Sequence, residues 1–194
     1  MKLCGLTGGV GMGKSTAASF LSQNGVQIID TDDIARELTA PGQPALEEIR
    51  EGFGSVVFQA DGSLNRAELA RIVFGSLPAR EQLQAILHPR IRERWLAKAE
   101  QWRRDAVPVG IVVIPLLFET QAEHYFSKII CVACSAGQQQ GRLRQRGWTS
   151  DQIKRRQSAQ MAIDKKMAQS HYVVWTEGEL TVSHEQLTRI LGAL

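Results

Sequence analysis

Residues Gly8-Gly9-Val10-Gly11-Met12-Gly13-Lys14-Ser15 fit the pattern G-x-x-x-x-G-K-[ST], and Thr16 follows directly. This stretch constrains the fold more than any other. It needs a buried strand before it and a helix after it. Lys2 to Thr7 reads as such a strand. Lys14 to Gln23 reads as such a helix, with Ala17, Ala18, Phe20 and Leu21 available for burial. A polyphosphate is wrapped by backbone N–H groups at a helix N-terminus, where the first four donors lack intrahelical partners. Side chains would block that approach, so the glycines at 8, 9, 11 and 13 suit it. The chemistry points to a nucleoside triphosphate held by Gly9 to Thr16. Lys14 is a point charge for the terminal phosphates, and the Ser15 hydroxyl a ligand for Mg²⁺.

The remaining pattern is α/β. Val26 to Ile29 reads as a second strand, ending in Asp30-Thr31-Asp32-Asp33. In open α/β folds functional carboxylates sit at the C-terminal ends of strands. Asp32 is therefore a candidate to take a hydroxyl proton, while Asp30 or Thr31 can cap the helix that follows. Residues 40–106 read as helical and without a convincing strand, a natural place to hold a second substrate. His88-Pro89 is expected to break this helical run and restart it. His88 is a turn residue or a ligand contact. Val109 to Ile114 is the continuous apolar run of a central parallel strand. It ends in Val113-Ile114, without the Asp that often binds metal there, so a metal carboxylate would come from Asp30, Asp32 or Glu119. Ser127 to Cys134 and Tyr172 to Thr176 read as two further strands, and Leu180 to Leu191 as a closing helix.

Between Gln138 and Lys166 eight basic residues (Arg142, Arg144, Arg146, Lys154, Arg155, Arg156, Lys165, Lys166) face two acidic ones, Asp151 and Asp164. Apolar positions are sparse, which predicts weak packing on a core. The segment reads as a mobile lid carrying arginines to a phosphoryl group; a solvated face or a nucleic-acid patch is the alternative. Arg142 and Arg146 share a helix face. The net charge of +3 on 194 residues is too small to argue for nucleic acid. No apolar run approaches the ~20 residues of a membrane span. Three cysteines suggest no disulfide framework, and Cys131 and Cys134 read as buried strand residues. These features predict a cytoplasmic protein. Neither N-K-x-D nor D-x-x-G occurs, which argues against a GTPase switch. Another small-molecule kinase, or a nucleotide-binding regulator that uses the basic segment on RNA, would share the same loop.

The assembled motifs resemble the dephospho-CoA kinase family over nearly the whole chain. They include Gly5 to Thr16, Asp30 to Arg36, Pro41-Gly42, Phe53-Gly54, Asp61 to Arg66, Ile86-Leu87-His88-Pro89 and Pro115-Leu116-Leu117-Phe118-Glu119. Gln139-x-x-Arg142-Leu143-x-x-Arg146 and Arg156-x-x-x-Gln160 complete the set. The resemblance implies a P-loop α/β/α core with a parallel sheet (about 1–31, 107–137 and 170–194), a helical substrate insertion (about 32–106) and a lid (about 138–169). It implies transfer of the γ-phosphoryl of ATP to the ribose 3′-hydroxyl of dephospho-CoA with Mg²⁺, by a monomer or weak homo-oligomer that binds neither nucleic acid nor membrane. Asp32 would face that hydroxyl, with Lys14 and Arg142 as its catalytic partners. Gly9, Val10, Gly11, Met12, Gly13, Lys14, Ser15, Thr16, Arg142 and Arg146 would bind ATP. Arg36, His88, Pro115 and Leu116 would join Asp32 on the acceptor, and Glu119 is a further metal candidate beside Ser15. The Asn that the family usually carries close to the adenine is absent from Ser170 to Glu177.

Overall fold

A computed structural model describes residues 1–194. Five strands, β1 (Lys2–Gly8), β2 (Gln27–Asp30), β3 (Val109–Val113), β4 (Lys128–Ala133) and β5 (Tyr172–Trp175), form one parallel sheet in the order β2-β3-β1-β4-β5. All four pairings are parallel, so the strands end on one edge. The helices are α1 (Lys14–Gln23), α2 (Thr31–Leu38), α3 (Pro44–Phe53), α4 (Arg66–Gly75), α5 (Leu77–Arg104), α6 (Ala136–Gln145), α7 (Ser150–Ser158), α8 (Ile163–Ala168) and α9 (Leu180–Ala193).

The chain divides into two compact units: residues 1–30 with 99–194, and residues 31–98. In the first unit, strand alternation sends Cys4, Leu6, Ile111, Val113, Ile130, Val132 and Val174 to one face. There they pack with Ala17 and Leu21 of α1 and with Leu187 and Ile190 of α9. On the other face Trp102 lies over Gly110, Leu117 and Phe126 lie over Gly5, and α8 packs on β1 and β4. A Cβ added at Gly110 would sit 2.5 Å from the Trp102 ring, so glycine there is the space the indole needs. The second unit has its own core of Leu46, Ile49, Val57, Leu64, Leu69 and Val73, with Phe53, Leu83 and Ile86 packed against it. Asn65 caps α4 by accepting from the Glu68 N–H at 3.1 Å.

Two expectations are corrected. Pro89 does not divide the helix: α5 is continuous from Leu77 to Arg104 with the proline inside. A proline ring disturbs the carbonyls one turn before it. Arg90 Nη1 donates to Ile86 O at 2.6 Å, beside the Ala85 carbonyl that has no proline N–H to accept from. The basic segment is also packed more closely than its few apolar residues suggest. Leu143, Ile153 and Lys166 are all buried.

Cys4, Cys131 and Cys134 are free and buried, as their place in apolar strands predicts. Burial raises all three pKa values, and pushes Cys131 up to about 11. The thiolate is the reactive form. The native protein is therefore expected to resist maleimide at pH 7.5 and to label three thiols once unfolded in guanidinium. Rapid native labelling would show that the strands open.

Candidate active site

The loop after β1 is shaped by the sheet as well as by its own glycines. Gly8 has φ 146°, and a Cβ there would stand 2.2 Å from Val132 O of β4. Only glycine lets the chain leave β1 so close to its neighbour. Gly13, at φ 97°, caps α1 with no side-chain hydrogen bond, and Thr176 lies beside it, 3.3 Å from where a Cβ would stand. The helix begins its own bonding with Ala17 N–H to Gly13 O at 3.0 Å. Amides of a first turn have no partner within their helix and suit an anion. Ser15 and Thr16 are exposed in that turn. Lys14 Nζ donates to Gly8 O and Gly9 O, each at 3.0 Å, so the ammonium rests on the loop's own carbonyls.

A cavity of about 340 Å³ opens beside this loop, lined by Gly11, Gly13, Thr16, Arg142, Arg146, Thr176 and His184. That is the scale of small-molecule clefts. Arg142 donates from Nη1 to Thr176 Oγ1 at 2.9 Å and from Nη2 to Thr176 O. The Thr176 hydroxyl in turn donates to Met12 O at 2.9 Å. Thr176, just after β5, thus ties an arginine of α6 to the loop. His184 of α9 stacks on Phe20 of α1 with ring centroids 4.0 Å apart.

Pro115, Leu116 and Glu119 follow β3 in the same unit. Their region is an anchor for α8. Lys166 is fully buried and donates to Pro115 O at 2.6 Å and to Glu119 Oε2 at 3.1 Å. Glu119 Oε1 also accepts from the Met161 N–H at 2.7 Å. The Glu119 carboxylate therefore has partners on both oxygens. Asp30 ends β2 in register with Val113, which confirms that β3 brings no carboxylate to this edge.

Asp32, Arg36 and His88 lie in the second unit. α2 starts directly after β2, with Asp32 and Asp33 in its first turn, where the helix dipole favours carboxylates. Asp32 is exposed, and Arg36 pairs with Asp33. Burial and then the charge of Arg92 lower the pKa of His88, so the imidazole is neutral at pH 7. Arg66 ends the Asp61 to Arg66 motif and packs beside Arg36. Its guanidinium donates to Arg36 O at 3.2 Å and Thr39 Oγ1 at 2.8 Å, and burial followed by the Arg36 charge lowers its pKa. Gln139, Gln157, Gln160 and Thr176 bond to or beside the phosphate loop and Lys166 to Pro115 O; only Gln139 and Gln160 stand in the sequence motifs.

The family model for dephospho-CoA kinase matches residues 2–181. The chain belongs to the dephospho-CoA kinase family. The dephospho-CoA kinase of Acinetobacter baylyi is 40% identical over 188 residues, covering 96% of this chain and 95% of that one. That of Bdellovibrio bacteriovorus is 38% identical over 174 residues, covering 90% and 87%. The crystal structure of TT1252 from Thermus thermophilus superposes with a TM-score of 0.82 at 29% identity, covering 100% of this chain and 97% of that one. The dephospho-CoA kinase assignment agrees with a phosphate loop on a parallel α/β sheet. No helix is long and apolar enough to cross a membrane, and no group of three or more His, Cys, Asp or Glu side chains is gathered as for a metal.

Proposed function

We infer that this chain is an ATP-dependent dephospho-CoA kinase, which transfers the γ-phosphoryl group of ATP to the ribose 3′-hydroxyl of dephospho-CoA and releases CoA and ADP. The match of the dephospho-CoA kinase model to residues 2–181 carries this reading. The phosphate loop at the end of β1 supports it. The reaction is the last step in the synthesis of coenzyme A.

The residues divide the work as follows. The amides from Gly9 to Thr16 hold the phosphates of ATP, and Lys14 moves from the loop carbonyls to the β- and γ-oxygens. Arg142 and Arg146 border the nucleotide and neutralise charge as the phosphoryl group transfers. Arg36, His88, Pro115 and Leu116 serve the acceptor. Asp32 orients the 3′-hydroxyl and takes its proton as the new P–O bond forms and the bond to ADP breaks. In phosphoryl transfer such positioning and charge neutralisation supply most of the rate.

The donor set fits Mg²⁺. Ser15 is an exposed hydroxyl in the first turn of α1, at the phosphate loop. Mg²⁺ keeps several waters and takes few protein ligands. Ser15 would hold it, and the ion would neutralise charge on the β- and γ-oxygens. Glu119 is the weaker candidate, since both its oxygens are engaged. The segment from about residue 138 to 169 acts as a lid that excludes water and limits ATP hydrolysis. The cytoplasm, where ATP and dephospho-CoA are both present, is the working compartment.

The test is ADP release from Mg²⁺-ATP with and without dephospho-CoA, against adenosine and nucleoside monophosphates as acceptors. Stimulation by dephospho-CoA alone is expected. Stimulation only by adenosine or a nucleotide would replace the acceptor and leave the phosphate loop reading in place.

A further inference from the structure

The Val10 backbone is gripped on both sides by side chains from distant parts of the chain. Its N–H donates to Gln160 Oε1 at 2.9 Å. Its carbonyl accepts from Gln139 Nε2 at 2.7 Å. Gln139 Oε1 then accepts from Gln157 Nε2 at 2.6 Å. The chemistry fixes the sense of each amide. A backbone N–H can only donate, so Gln160 must present oxygen; a carbonyl can only accept, so Gln139 must present its NH₂ and has its oxygen left for Gln157. Gln139 is buried. Leu143, one turn later on the same face of α6, lies within 2.9 Å of a Cβ placed on Gly11.

Each bond sets the plane of one peptide. The N–H and C=O of a trans peptide point in opposite directions. The Gln160 bond orients the Gly9–Val10 peptide, and so aims Gly9 O, on which Lys14 Nζ rests at 3.0 Å. The Gln139 bond orients the Val10–Gly11 peptide, and so aims the Gly11 N–H. Two successive planes of the phosphate loop are thus set by residues 129 and 150 positions away in sequence.

We propose that Gln139, Gln157 and Gln160 form a latch that holds the phosphate loop in its receiving shape and joins the end of α7 to it. They are positioning residues for ATP, acting through the Val10 peptides and Lys14, and the proposal rests on the reading of the chain as an ATP-dependent kinase. Without the latch the loop must order itself as the nucleotide binds, and that cost falls on ATP alone.

Gln139→Met, Gln157→Met and Gln160→Met keep side-chain length and remove the polar ends. ATP affinity is measured by calorimetry, KM for each substrate by ADP release, and folding by thermal melting. Gln160→Met and Gln139→Met are expected to raise the ATP Kd and KM about tenfold each, in line with one lost hydrogen bond. Gln157→Met, one bond further out, is expected to raise them less. The KM for dephospho-CoA and the melting temperature of Gln160→Met stay near wild type. In the double variant Gln139→Met/Gln160→Met the effects are less than additive, because both act on one loop. An unchanged ATP Kd in a folded Gln160→Met protein overturns the latch. So does an equal rise in both KM values, which marks a general structural defect. If Gln139→Met fails to fold, the half-buried Gln160 carries the test. A wild-type protein that binds ATP without phosphorylating dephospho-CoA would contradict the kinase reading, and the calorimetric comparison would still decide the latch.

Discussion

Asp32→Asn is expected to lower kcat by roughly 10²–10⁴-fold, the usual loss of a general base, while the ATP Kd changes little. The substitution keeps shape and hydrogen-bonding reach but cannot accept the hydroxyl proton. Asp32 lies in the first turn of α2, two residues beyond the end of β2. It is exposed and the substitution is isosteric, so the fold should hold. Asp33 is the control. Its carboxylate pairs with Arg36, and Asp33→Asn should cost far less turnover. Near-wild-type kcat in Asp32→Asn would move the base to another group, with Asp30 as the next to test.

Arg142→Ala is expected to lower kcat by about 10³-fold or more, the scale seen when an arginine that stabilises the transferring phosphoryl group is removed. The ATP Kd should change much less. Arg142 is anchored on Thr176, which is itself bonded to Met12 O of the phosphate loop, and it lines the same cavity as Gly13 and Thr16. Two donors of its five-donor fork bond Thr176. Arg142→Lys should recover little, since an ammonium cannot hold Thr176 and a phosphate oxygen in the same planar geometry. A kcat unchanged in Arg142→Ala would remove it from the chemistry. A higher KM at unchanged kcat would assign it to uniform nucleotide binding.

The phosphate loop and its flanking elements were legible because they are local. β1, the glycines and α1 occupy 22 consecutive residues, and their chemistry depends on backbone conformation within that span. The continuous apolar runs at Val109 and Lys128 likewise gave central strands, because residues buried on both faces need no alternation. Pro89 misled because a proline usually ends a helix, whereas here α5 runs through it and loses only the bond that the proline N–H would have given to Ala85 O. The basic segment misled for another reason. α6 docks through Gln139 and Arg142 as well as Leu143, and hydrogen bonds of polar residues leave no hydrophobic pattern. Glu119 and Lys166 are 47 residues apart, and their pairing exists only once α8 lies on β1 and β4. Asp32, Arg36 and His88 read as acceptor residues by their motifs, and mutagenesis is what assigns their roles.

The most direct measurement of the central claim is the identity of the product. Purified protein, Mg²⁺-ATP labelled at the γ-phosphate and dephospho-CoA would be incubated, and the acceptor analysed by mass spectrometry and ³¹P NMR. The account predicts an acceptor one phosphate heavier, labelled, with the new phosphate on the ribose 3′-oxygen and one ADP formed for each. Label recovered only as inorganic phosphate, or placed on any other oxygen, would contradict it.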